Sequence, residues 1–69
     1  MSAKHPVGTT YDVLVPAHAA RCRRVDAAKA LETERYMLAE GLDPIIVAHL
    51  PDGSRDVGCL LDDDWLRPI

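Results

Sequence analysis

The chain has 69 residues, of which 48% are hydrophobic and 28% are charged, and its formal net charge is −3. This length predicts one small domain with a thin core, which leaves little room for a deep substrate cleft, and the acidic balance disfavours a general phosphate-binding surface. No apolar run approaches the ~20 residues that cross a bilayer, and the first residues lack the apolar core of a signal peptide, so we expect a cytoplasmic protein that does not enter a membrane.

The first part of the domain is predicted to be a β-hairpin. Residues 1–8 show no periodicity and are expected to form a flexible N-terminal arm, whereas 9–69 form the single domain. Residues 9–15 alternate, with Tyr11, Val13 and Val15 on one face. Residues 19–25 form a weaker partner strand, after a turn around Pro16 and the two residues that follow it.

A helix is predicted to follow this hairpin. Asp26 suits the N-cap, residues 27–40 are rich in strong helix formers, and Gly41 stands where a left-handed residue ends a helix. The apolar stripe consists of Ala27, Ala30, Leu31, Met37 and Leu38. Glu34 lies inside that stripe, and we favour a position at its rim, reaching Arg24, over a buried acid with a raised pKa.

A second hairpin is predicted from residues 45–50 and 55–61, joined by a Pro-Asp-Gly-Ser turn. Within its second strand, Val57, Cys59 and Leu61 share a face, and Gly58 indicates a bulge or a close backbone contact. The predicted class is therefore α+β: an antiparallel sheet of three to four strands, in the order hairpin, helix, hairpin, with one helix on one face. The other face must be solvated or meet a partner, and a homodimer is one solution.

No catalytic or cofactor-binding constellation is found in the sequence. The two serines lie in the arm and a turn, outside any nucleophile motif, so we expect no enzymatic activity. No metal-binding spacing occurs among the histidines, cysteines and aspartates, so we expect neither metal nor other cofactor. Cys22 and Cys59 are interpreted as buried free thiols, with a disulfide and a reactive thiol as alternatives.

The charges are unevenly distributed along the chain. Residues 1–25 contain four basic residues and one acid, whereas residues 26–69 contain ten acids and four basic residues. Arg21, Arg23 and Arg24 form the only basic cluster, which can serve a nucleic-acid-binding regulator. We favour the alternative that these arginines pair with neighbouring acids across the sheet, because the sequence offers no exposed aromatic pair that would stack bases.

The C-terminal end combines three adjacent acids, Asp62, Asp63 and Asp64, with the only tryptophan, Trp65. Adjacent carboxylates repel one another unless a basic group neutralises their charge. Tryptophan is enriched among the residues that anchor protein interfaces. This end is a candidate contact for an arginine- or lysine-rich groove. The alternative is that Trp65 and Leu66 close the core while the acids are solvated.

This outline resembles small phage-encoded anti-CRISPR proteins, particularly inhibitors of type I surveillance complexes. The resemblance rests on the strand at 11–15, the helix at 26–40, the hairpin at 45–61 and the acidic end at 62–64. The resemblance implies inhibition in the bacterial cytoplasm, by an acidic surface that occupies basic residues otherwise holding target DNA. The partner-binding residues would be Glu32, Glu40, Asp43, Asp62, Asp63, Asp64 and Trp65. The arginine-based DNA regulator and an antitoxin-like dimerising subunit remain the alternatives.

Overall fold

The fold is described from a computed structural model, which covers residues 4–16, 21–62 and 65–67. The strands are β1 (Thr10–Leu14), β2 (Arg21–Val25), β3 (Ile45–His49), β4 (Arg55–Gly58), β5 (Leu60–Asp62) and β6 (Trp65–Arg67), and the helix is α1 (Ala27–Ala39). The main sheet is antiparallel with the order β2-β1-β3-β4, and β5 and β6 form a second, two-stranded sheet. The predicted α+β class and the strand pairing of both hairpins are confirmed, whereas the two residues that follow Pro16 in the predicted first turn lie outside the described residues.

The helix ends where its capping residues predict. The Asp26 carboxylate accepts a hydrogen bond from the Lys29 backbone N–H at 2.8 Å. At the other end, Gly41 adopts a φ of 79°, which glycine reaches without steric cost, and its N–H donates to the Leu38 carbonyl at 3.0 Å. The helix therefore stops before the chain enters β3.

The core lies between α1 and the inner face of the main sheet, which is the face turned towards the helix. Tyr11, Val13 and Val15 are buried there, as their alternation predicts. Cross-strand partners on β3 complete this layer, and the second sheet adds two leucines to the same core. The other residues of the hydrophobic core are Ala30, Met37, Ile46, Ala48, Leu61 and Leu66. Leu38 is 47% exposed, so its predicted place in the apolar stripe is wrong.

The predicted continuous strand from residue 55 to residue 61 is interrupted at Cys59. A Cβ atom on Gly58 would lie 2.5 Å from both the Arg67 carbonyl oxygen and the Leu66 Cβ, so the expected close backbone contact at this glycine is confirmed. The Cys59 N–H donates to the Arg67 carbonyl at 3.1 Å, and the chain leaves the main sheet to pair with β6. As a result Cys59 is exposed, which corrects its prediction as a buried thiol.

The described part of the N-terminal arm lies against the domain. His5 hydrogen-bonds to the Tyr11 hydroxyl at 3.1 Å and to the Asp56 carboxylate at 3.0 Å. Thr9 donates from its backbone N–H to the Pro6 carbonyl. The prediction of a loose segment over 1–8 therefore misses this attachment at His5.

Candidate functional site

The predicted partner-binding acids are distributed over the helix, the segment that follows it and the second sheet. Asp63 and Asp64 lie outside the described residues. Asp62 pairs with Arg67 at 3.0 Å, and Glu32 pairs with Lys29 at 3.3 Å. Both pairs are exposed, so each contributes little to stability and leaves its carboxylate open to exchange with a partner.

Two further predicted acids lie at the carboxyl-terminal end of the helix. Glu40 is the C-cap residue of α1, and Asp43 follows shortly after it. Both are exposed, and neither forms a salt bridge within the described residues. This end of the helix thus presents carboxylates that are free to meet cations.

The exposed side of α1 places an aromatic ring between two of these acids. Glu32, Tyr36 and Glu40 are spaced four residues apart, so they follow one another along one face of the helix. Tyr36 is 67% exposed, the largest exposed fraction of any described aromatic side chain. We call these three residues the acidic stripe. Tyr36 is not among the residues predicted from the sequence to bind a partner. An aromatic side chain on an otherwise polar helix face is the feature that could have indicated it.

The C-terminal segment divides between core and surface. Leu66 is buried, whereas Trp65 is half-buried opposite Asp62 in the β5–β6 pair. Trp65 is therefore less available as an anchor than Tyr36, and only the Asp62 end of the acidic run can be placed beside it.

The outer face of the main sheet, turned away from α1, holds a half-buried polar pair, Asp12 and His49. The Asp12 carboxylate accepts a hydrogen bond from His49 Nε2 at 3.0 Å and another from the Arg24 backbone N–H at 2.8 Å. Burial alone would raise the pKa of Asp12, but these hydrogen bonds and the nearby positive charge outweigh it and hold the pKa below its ordinary value. Asp12 is therefore a satisfied carboxylate rather than part of an open acidic surface.

Two of the three arginines of β2 form no salt bridge with the acids that the structure describes. Arg23 and Arg24 are both exposed, and neither is within salt-bridge distance of a described acid, so the favoured interpretation of cross-sheet pairing is wrong for Arg23. The charge of Arg24 nevertheless helps to lower the pKa of Asp12 on the neighbouring strand. Arg24 contacts Asp12 through its backbone, at a bulge where its φ is 53°. Arg21 belongs to the same strand, but its side chain lies outside the described set.

Glu34 is the buried acid of the helix rather than a rim residue. Its side chain is 0% exposed, and Oε1 accepts the Leu61 backbone N–H at 3.1 Å. Oε2 is buried without a hydrogen-bond partner, and burial raises the pKa of this carboxyl group. The favoured contact with Arg24 is thus wrong, and the alternative of a buried acid with a raised pKa is correct.

The described structure also contains a hydrogen-bonded chain of titratable side chains and two free thiols. Asp56, His5 and Tyr11 form a hydrogen-bonded chain beside a pocket of about 180 Å³, but Tyr11 is only 2% exposed. Within the described residues no group of three metal-ligating side chains converges. Cys22 and Cys59 are free thiols, and Cys22 is half-buried with its sulfur 3.7 Å from the Thr33 hydroxyl.

The helix of the described structure, with 13 residues, is neither long nor apolar enough to cross a membrane. Comparisons with protein-family models, with curated proteins and with solved structures find no match to this chain.

Proposed function

We propose that this chain is a non-enzymatic binding protein whose acidic stripe, together with Asp43, occupies a basic surface of a partner that otherwise holds DNA. The proposal follows the resemblance to anti-CRISPR inhibitors, and a type I CRISPR surveillance complex is the partner class it implies. The observation that carries it is the exposed Tyr36 ring between the carboxylates of Glu32 and Glu40.

The chemistry of the stripe suits arginine. A guanidinium group stacks on a tyrosine ring while its N–H groups donate to carboxylates on either side. Tyrosine has only two side-chain torsions to immobilise, so fixing it in an interface costs little conformational entropy. Stacking and charge-assisted hydrogen bonds are both available at this surface, which supports contact with an arginine-rich site.

Carboxylates on a protein surface compete with phosphates for the same cations. The ion pair of Glu32 with Lys29 is exposed and of low net stability, so an incoming arginine can replace the lysine. Glu40 and Asp43 need no such exchange among the described residues. Binding of this kind weakens as salt screens the charges.

The first prediction tests this function in a DNA-binding assay. Purified type I surveillance complex is mixed with labelled target DNA, and the protein is expected to lower the bound fraction as its concentration rises. Tyr36→Ala and Glu40→Lys should each weaken this inhibition by about tenfold or more, because each removes a central contact of the stripe.

Matched controls separate the stripe from a general charge effect. Glu40→Gln and Asp56→Asn each remove one exposed negative charge, but only the first lies on the stripe, so only the first should weaken inhibition. Val57→Ala is the control for Tyr36→Ala. It also truncates an exposed apolar side chain, but Val57 lies on β4 and not on the acidic stripe. Absence of inhibition by the native protein, or equal effects of the two neutralising variants, contradicts the proposal.

A further inference from the structure

The outer face of the main sheet carries four aliphatic side chains that are partly or largely accessible to solvent. Leu14 lies opposite Ile45, Ile45 is followed by Val47 on the same face of β3, and Val47 lies opposite Val57. Side chains two apart on a strand share a face and cross-strand partners are in contact, so these four residues form one connected aliphatic band. Val57 is 50% exposed, and the other three are half-buried.

None of the described elements covers this band. The helix and the second sheet contribute their buried residues to the core on the inner face. The half-buried apolar residues that pack against that core do not include Leu14, Ile45 or Val47. The band is therefore separate from the core and faces away from it.

The charged groups around the band are predominantly cationic. Arg55 lies opposite His49 at one corner, and Arg23 projects to the same face from β2, since Cys22 beside it packs inwards. Neither arginine forms a salt bridge with a described residue. The acid on this face, Asp12, is already occupied by His49 and by the Arg24 backbone.

We propose that this outer face is a second docking site, for an acidic segment of another protein that carries aliphatic side chains. The aliphatic band supplies apolar area, and the two free guanidinium groups at its corners supply complementarity to carboxylates. The site is independent of the acidic stripe, which lies on the far side of α1 from the sheet.

Charge and composition favour this occupant over two others. Packing the outer faces of two copies together would oppose cationic rims and offer them no unoccupied carboxylate on the described face. Single-stranded nucleic acid is bound by sheet faces through exposed aromatic rings, and the described residues of this face include none.

The spacing of the arginines suggests how such a segment would lie. Arg23 and Arg55 are on the two edge strands, three strand spacings apart and about two residues offset, or roughly 16 Å in all. That distance equals about eleven residues of α-helix, and positions eleven apart return to nearly the same helix face. An amphipathic helix with two acids at this spacing therefore fits the face.

The test uses a labelled synthetic helical peptide with two glutamates eleven residues apart and leucines on the same face between them. Fluorescence anisotropy should show binding to the native protein, and a peptide with lysines at the two acidic positions should bind at least about tenfold more weakly. Val57→Glu and Arg55→Ala should each cause a comparable loss. The controls Val7→Glu and Arg35→Ala alter exposed residues outside this face and should leave the affinity unchanged.

Three results would overturn the proposal. The first is equal affinity for the acidic and lysine peptides, or no binding of either. The second is sedimentation of the native protein as a dimer that Val57→Glu converts to a monomer, which would assign the face to a second copy. The third is an affinity for single-stranded DNA that exceeds the peptide affinity and is lost in Arg55→Ala.

Discussion

At the scale of single residues, Glu34 is the clearest conflict between local chemistry and the fold. One carboxylate oxygen satisfies the Leu61 N–H, and this bond holds β5 against the helix. The other oxygen is buried with no partner, a state that costs free energy when the group is ionised. Glu34 thus specifies where the second sheet docks, at the expense of stability near neutral pH.

This leads to a prediction for Glu34→Gln. Burial raises the pKa of Glu34, so between the unfolded and folded pKa values the folded state binds more protons than the unfolded state. The contribution of Glu34 to stability is fully present below its unfolded pKa, ordinarily 4.5, and is lost as pH rises through the higher folded pKa. The variant should be more stable than the native protein at neutral pH, by on the order of 1–3 kcal/mol, with the difference vanishing in acid.

Urea denaturation at several pH values measures this effect. Glu32→Gln serves as the control, because its side chain is exposed and its loss should change the free energy of unfolding by less than about 0.5 kcal/mol. If Glu34→Gln is less stable than the native protein at every pH, the contact with Leu61 requires a carboxylate, and a neutral amide of the same shape cannot replace it.

At the scale of elements, sequence patterns predicted those segments whose ends are set locally. Asp26 and Gly41 define α1, and the alternation in β1 predicts its buried face. The second sheet was missed because β5 and β6 are three residues each, too short for a period to show. The position of this second sheet depends on contacts with Gly58 and Glu34. Gly58 is separated in sequence from β6, and Glu34 is distant in sequence from both strands.

The surfaces proposed to bind partners were only partly predictable for the same reason. The polar face of α1 could be read from helical periodicity, and with it the exposure of Glu32 and Glu40. The outer-face band could not be assembled, because the sheet order places β1 beside β3, and this pairing across 31 or more residues leaves no local pattern. The hydrogen bond between Asp12 and His49 also depends on the pairing of β1 with β3.

The departure of the chain from the main sheet depends on Gly58, and this gives a prediction at the element scale. In Gly58→Ala the added methyl group meets a backbone carbonyl and Leu66 Cβ at 2.5 Å, so β6 must shift away. We expect a loss of about 1–3 kcal/mol in the free energy of unfolding. Faster amide exchange at Cys59, whose N–H bonds to Arg67, should accompany the loss.

The neighbouring variant Val57→Ala is the control for this experiment. Val57 is half-exposed and outside the core, so its truncation should cost less than about 0.5 kcal/mol and leave the Cys59 exchange rate unchanged. Equal stability of Gly58→Ala and the native protein would mean that β6 is displaced without cost.

At the scale of the whole molecule, the two surfaces proposed to bind partners carry opposite charge and lie on opposite sides of a thin core. The acidic stripe is on the exposed side of α1, and the cationic outer face is on the other side of the sheet. A chain of 69 residues buries a small apolar area, so contacts that tie separate elements together weigh heavily in its stability. His5 is such a contact, because it joins β1 and β4, which are separated by β3.

The last prediction concerns this connection. A neutral His5 can donate from Nε2 to Asp56 and accept the Tyr11 hydroxyl at Nδ1, so one side chain closes two hydrogen bonds. His5→Ala should lower the free energy of unfolding by about 1–2 kcal/mol, measured by urea denaturation. Val7→Ala, at a fully exposed position in the same segment, should have no measurable effect. If the two variants unfold at the same urea concentration, the segment is attached without stabilising the sheet, and residues 1–8 behave as the loose arm that their sequence predicts.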